Sequence, residues 1–177
     1  MQISPRLDES VHLVSYDSQW PLLFKNEAKQ LIHALGTRAI QIEHIGSTAV
    51  PGLTSKPVID ILIGLLQMDS LEEVALAITE LGFEDMGEAG IPGRRHLRKR
   101  CHIAVNVHVV QIDSNLWQNN ILIRDYLRTH SEAAISYSRH KQTIISSGTN
   151  KLLAYSKQKT DFMQDLLRQA QNWAASK

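Results

Sequence analysis

Apolar residues recur along the chain with two periods, and the switches between them mark the elements. From Ser18 to Leu35, the residues Trp20, Phe24, Ala28, Leu31 and Leu35 fall three or four apart. That spacing predicts an amphipathic helix, with Ser18 as N-cap, Pro21 in its first turn and Gly36 as its stop. Ala39 to Ile45 is short and isoleucine-rich and reads as a strand. Gly46 to Pro57 holds Gly46, Pro51, Gly52 and Pro57 and reads as a loop. Val58 to Leu65 is apolar except at Asp60 and Gly64, the pattern of a buried strand. Ser70 caps a helix to about Leu81, with Gly82 beyond it. Gly87, Gly90, Pro92 and Gly93 mark a flexible loop, and Arg94 to Arg100 one arm of a hairpin. His102 to Ile112 alternates: Ile103, Val105, Val107 and Val109 share one face, and His102, Asn106 and His108 the other. From Asn115 onward the pattern is helical. One helix, capped by Ser131 or Thr129, runs to about Ile145; Gly148, Thr149 and Asn150 break it. A last helix aligns Leu152, Tyr155, Lys159, Phe162, Leu166, Ala170 and Trp173. This order predicts an α/β (α+β) architecture whose residues 115–177 are mostly helical.

Composition narrows the class. A chain of 177 residues fits a single domain, residues 1–177. Its 19 Lys and Arg against 18 Asp and Glu give a formal charge of +1, which argues against a general nucleic-acid coat. At 43% hydrophobic residues the chain is too apolar for disorder. Cys101, the single cysteine, cannot form an internal disulfide, which favours a reducing compartment. No apolar run approaches the roughly 18 residues of a membrane helix, so no membrane partner is expected. The opening MQISPRLDES lacks the basic and then apolar blocks of a secretion signal. A soluble cytoplasmic protein is the expectation.

Chemistry concentrates between His44 and Ile61. Gly46 lets backbone approach a ligand without a Cβ in the way. Ser47 and Thr48 add hydroxyls and backbone N–H groups that suit phosphate oxygens. Asp60 lies in an oily strand, where an unpaired carboxylate costs several kcal/mol, so it must be paired, hydrogen-bonded or metal-bound. The bland reading is that Ser47 and Thr48 make only turn hydrogen bonds and that Asp60 pairs with a nearby Lys or His.

The run Ile42-Glu43-His44-Ile45-Gly46-Ser47-Thr48-Ala49-Val50-Pro51-Gly52-Leu53, followed by Lys56-Pro57-Val58-Ile59-Asp60-Ile61, resembles the signature of the GrpB family. Val14 to Asp17 with Trp20, Val107 to Val110, and Ile123 to Arg128 with Tyr137 and Lys141 support it, so the resemblance spans about residues 11–173. It implies a nucleotidyltransferase-like fold of the DNA-polymerase-beta type: a short mixed β-sheet flanked by helices, with a helical C-terminal part. It further implies a nucleotide gripped at the Gly-Ser turn and strand carboxylates holding Mg2+ or Mn2+. Active members of that superfamily carry a second carboxylate two residues after the first and a third on a later strand. Here Leu62 takes the second position, and the later strand offers Asn106 and His108.

The expected site follows. Asp60 and His108 are the catalytic candidates, with Asp60 also the metal ligand. Gly46, Ser47, Thr48, Lys56, Arg94 and Arg95 are the candidate phosphate-binding residues, the two arginines because they follow Pro92-Gly93 at the head of a cationic run. His44 reads as a residue that hydrogen-bonds the loop, and Arg124 with Asp125 and Arg128 as a pairing set on a helix. Tyr137 and Lys141, four apart, face one side and could line the cleft. The expected ligand is a nucleotide or a phosphorylated small molecule. An RNA backbone is less favoured because stacking aromatics are missing nearby. Three functions stay open: nucleotidyl transfer to an unknown acceptor, a non-catalytic nucleotide- or coenzyme-binding module that has lost the two-metal site, and a His/Asp transition-metal site doing hydrolysis.

Overall fold

The structure, a computed structural model, describes residues 8–39 and 41–177. Residues 1–7, in the expected signal-free N-terminus, and Ile40, in the expected first strand, lie outside the described residues. In chain order the elements are α1 (Trp20–Leu35), β1 (Gln41–Ile45), β2 (Val58–Leu65), α2 (Leu71–Glu80), β3 (Glu84–Asp85), β4 (Arg95–Arg100), β5 (Ala104–Gln111), α3 (Asn115–Thr129), α4 (Ser131–Ser146), α5 (Leu152–Gln158) and α6 (Thr160–Ala175). The strands form one mixed sheet in the order β1-β2-β5-β4-β3. Only the β2–β5 pair is parallel; the other neighbours are antiparallel. The fold is mixed α/β, as the order of patterns predicts.

Alternation in the strands gives the sheet two unlike faces. Ile59, Ile61 and Ile63 of β2, Val105, Val107 and Val109 of β5 and Leu97 of β4 pack against Trp20, Leu31 and Leu35 of α1 and Val74, Ala75 and Ile78 of α2. Each such buried aliphatic contributes roughly 1.5–3 kcal/mol. On the opposite face, Ile45, Leu62 and Val110 pack under Trp117 of α3. Gly64 permits that seat: a Cβ there would meet Trp117 Cζ3 at 2.9 Å. The rest of this face is polar. The C-terminal helices form their own core, in which Tyr126, Leu127, Tyr137, Leu166 and Ala170 close on Val50 and Leu53 of the loop after β1. That packing sets the loop between sheet and helices.

Two expectations are corrected, and one short strand was not foreseen. Helix α1 begins at Trp20, not at Ser18; the Gln19 N–H is instead taken by Asp17 Oδ1 at 2.8 Å. The last helix is two, α5 and α6, with Lys159 between them. Its apolar stripe serves two cores: Tyr155 packs with Val11 and Ile144, and Leu166 and Ala170 pack with Tyr126 and Tyr137. One straight axis does not serve both. The two-residue strand β3 carried no apolar pattern to betray it.

Candidate functional site

Strand register builds the site on the polar face. Ile45 lies opposite Asp60 across the antiparallel β1–β2 pair, so the turn leaving β1 brings Gly46 over the Asp60 carboxylate. Gly46 has φ +70°, and a Cβ there would stand 2.6 Å from Asp60 Oδ2. Glycine is needed twice over, for the left-handed backbone and for the close approach. Parallel pairing sets Asn106 beside Asp60, and the β4–β5 register sets His96 opposite His108 and Arg98 opposite Asn106.

These side chains form a bonded row across the sheet. Asn106 Nδ2 donates to Asp60 Oδ1 at 2.7 Å, and Arg100 Nη2 donates to Asn106 Oδ1 at 2.8 Å, which fixes the amide's orientation. His108 Nε2 is 3.4 Å from Asp60 Oδ1. Its Nδ1 is 3.3 Å from His96 Nδ1 and 3.5 Å from Arg94 Nη1. A guanidinium can only donate, so His108 Nδ1 accepts and its Nε2–H points at Asp60. Burial pushes the Asp60 carboxyl up, but the hydrogen bond from His108, the Lys56 charge and the Asn106 amide outweigh it and hold the group well below the usual carboxylate range. His96 is pushed down to about 3, first by burial and then by the neighbouring cationic groups.

Lysines converge from the other side. Lys141 of α4 is 1% exposed. Its Nζ donates to Ser47 Oγ at 3.1 Å and to the Thr54 carbonyl, and stands 4.3 Å from the Tyr137 ring centroid. Burial, then the charges of Lys159 and Lys56, push it down to about 7. Lys56 is lowered by burial, partly offset by Asp60, and it too feels Lys159. Lys56 and Arg94 thus face Asp60, while Lys56, Lys141 and Lys159, from three separate segments, feel one another's charge. Next to them, Glu9 of the N-terminal segment takes Arg100 in a two-pronged pair, at 2.9 and 2.8 Å. Glu9, Lys56 and Arg100 line a cavity of about 180 Å³ at the start of β2 and β5. A larger cleft, about 500 Å³, lies against α1 and β1 and includes Phe24, His44 and Arg128; it shares none of the Asp60 row.

The fold thus gathers Gly46, Ser47, Lys56, Asp60, Arg94 and His108 of the expected residues. It sets two apart. Thr48 is fully buried; its hydroxyl donates to the Val58 carbonyl at 3.2 Å and meets His44 Nε2 at 3.0 Å. That hydroxyl holds the loop rather than a ligand. Arg95 points to the α2 face, where Asp85 and Glu72 hold it at 2.8–3.2 Å. A one-residue step along a strand reverses the face, which separates it from Arg94. His44, stacked on Phe24 at 4.7 Å, shapes the loop as expected. Arg124 is also structural, bonding Glu43 at 2.6 Å, Asp125 at 2.8 Å and the His44 carbonyl at 3.2 Å. Sequence reasoning missed Lys159 and His96, and ranked Arg100 behind Arg94 and Arg95 within the cationic run. The one available signal was a lysine inside the apolar stripe of the last helices.

The donors do not fit a two-metal centre. Leu62, at the second acid position, is buried under Trp117. Asn106 and His108 direct N–H groups at Asp60, and Lys56 and Arg94 already surround it with charge. Among the described residues no three His, Cys, Asp or Glu side chains gather as a metal site. Magnesium requires oxygen ligands, of which the protein supplies one carboxylate.

A mixed sheet with a Gly-Ser turn over a strand acid is a fold that this chain has in common with a solved terminal transferase. A cytoplasmic RNA terminal U-transferase shares it at a TM-score of 0.50 and 12% identity, covering 74% of this chain and 44% of that one. Residues 10–169 match the family described as GrpB protein, and the chain belongs to that family. The crystal structure of the conserved protein GrpB from Enterococcus faecalis superposes with a TM-score of 0.82 at 30% identity, covering 92% of this chain and 99% of that one. The UPF0157 protein BH1888 of Halalkalibacterium halodurans is 31% identical over 91% of this chain and 83% of its own length. The UPF0157 protein YqkA of Bacillus subtilis is 29% identical over 92% of this chain, which spans only 48% of that relative. Among the described residues no helix is long and apolar enough to cross a membrane.

Proposed function

We propose that this chain binds a phosphate-bearing ligand, a nucleotide or a related phosphorylated small molecule, in the cleft between the polar sheet face and the C-terminal helices, without a two-metal centre. The observation that carries this reading is Lys141, a buried ammonium on Ser47 Oγ and the Thr54 carbonyl that feels the Lys56 and Lys159 charges and, among the described residues, has no carboxylate bonded to it. A buried lysine held only by neutral oxygens and repelled by two others is a standing cost, which an arriving polyanion relieves. Phosphate oxygens would take Ser47, the lysines and Arg94, while Asp60 keeps His108 and Asn106 oriented at the cleft floor. Titration calorimetry with ATP, GTP, CTP, UTP and pyrophosphate tests the reading. Binding in EDTA is expected, weakened roughly ten-fold or more in Lys141→Met. Failure of the folded protein to bind any of the five refutes it. A strict need for Mg2+ or Mn2+ would instead favour metal-dependent transfer with Asp60 as the ligand.

A further inference from the structure

Glu9 is the feature that this reading leaves unexplained. Its carboxylate lines the small cavity that also holds Lys56 and Arg100, and it comes from outside both the sheet and the helices. The N-terminal segment crosses the gap between them. The Val11 N–H bonds the Asn150 carbonyl at 2.7 Å and the Leu152 N–H bonds the Glu9 carbonyl at 2.9 Å, which ties the segment to the start of α5. Val14 and Ser55 exchange both backbone bonds, at 2.8 and 3.0 Å, which anchors it to the loop before β2. At the first of these ties, Glu9 places two oxygens on Arg100 in the planar geometry that arginine offers to a carboxylate or a phosphate alike. Arg100 is in turn the group that orients Asn106 toward Asp60. The Glu9 carboxylate feels Arg100, Lys56 and Arg98, and Lys56 shares the 180 Å³ cavity with it.

We infer that the Lys56–Arg100 cavity is an anion subsite beside the proposed phosphate site, and that the chain's own Glu9 carboxylate holds Arg100 at its wall until an anionic group of the ligand displaces the segment. The inference rests on the phosphate-binding reading and adds a competing internal anion to it. The double tie at Val14 and Ser55 makes a hinge, so release frees the residues before it and leaves the rest in place.

The test uses the full chain with pyrophosphate as probe. Glu9→Gln keeps the backbone bonds to α5 and removes the competing charge; its Kd for pyrophosphate is expected to fall roughly ten-fold relative to the parent. Arg100→Gln is expected to weaken binding. Hydrogen exchange separates displacement from simple charge removal: in the parent protein, pyrophosphate should speed exchange at the Val11 and Leu152 amides. Tighter binding by Glu9→Gln with unchanged exchange at those amides overturns the displacement, as does an unchanged Kd. In both of those cases binding by the parent leaves the phosphate reading standing. If neither the parent nor Glu9→Gln binds pyrophosphate, the phosphate reading and the subsite fall together, whereas binding by the variant alone supports both.

Discussion

Gly46 and Lys141 carry the sharpest single-residue consequences. Replacing Gly46 by alanine adds a methyl 2.6 Å from Asp60 Oδ2 on a backbone with φ +70°. Gly46→Ala should cost about 2–4 kcal/mol and abolish ligand binding, and Gly46→Ala with Asp60→Ala should recover part of the stability but none of the binding. Urea unfolding and calorimetry check both. Lys141 behaves in the opposite sense. Its charged form is penalised in the fold, down to about 7, while the unfolded chain keeps the ordinary lysine value. The unfolded state therefore binds more protons between about 7 and 10.5, and stability drops as pH falls through that window. Lys141→Met, similar in volume and uncharged, should raise stability near neutral pH by roughly 1–3 kcal/mol while weakening ligand binding. A variant that loses both would mean that the ammonium serves the fold. The Gly46–Asp60 partnership was legible in the sequence, because a glycine before a loop and an acid in an apolar strand are both anomalies of local pattern. Thr48 was misjudged, because nothing local says that a hydroxyl next to Ser47 turns inward to the Val58 carbonyl.

At the scale of elements, the strand and helix periods foretold most of the sheet, and register did what periods cannot. Alternation in β5 placed Asn106 and His108 on one face, but only the pairing with β4 shows that His96 meets His108 while Arg95 leaves for α2. Adjacent arginines in a cationic run look alike until a strand sorts them. Two neutral histidine rings, His44 buried and His96 half-buried, give the sheet an acid sensitivity. His44 is lowered to about 4 and His96 to about 3, with burial the first cause in each. Both stay neutral in the fold while the unfolded chain protonates near 6.5, so stability is complete above that pH and declines as pH drops from about 6.5 toward 4. Urea midpoints between pH 7.5 and 4.5 should show the decline, and His44→Asn should flatten part of it. Gly64→Ala is the control between β2 and α3. Its Cβ would press on Trp117 at 2.9 Å, so it should cost about 1–3 kcal/mol yet leave ligand affinity within two-fold.

Across the whole molecule, Trp117 of α3 covers only part of the sheet face that carries Asp60, and the C-terminal helices close on the loop after β1, where Lys141 reaches Ser47. The sequence showed the helical C-terminal part but not the break at Lys159, since one apolar stripe can feed two cores without a glycine or proline to announce it. Nor could it show that Glu9 would reach Arg100, a contact across 91 positions with no local pattern behind it. The parallel seam between β2 and β5 has a further meaning. Asp60 lies on one side of it and Asn106 and His108 on the other, 46 and 48 positions away. The β1–β2 and β4–β5 pairs each close over short stretches of chain, whereas the seam requires a long connection to be drawn in and is expected to zip later. Neither half of the sheet by itself holds both Asp60 and its partners Asn106 and His108, so the bonded row comes into being only when the two halves have joined.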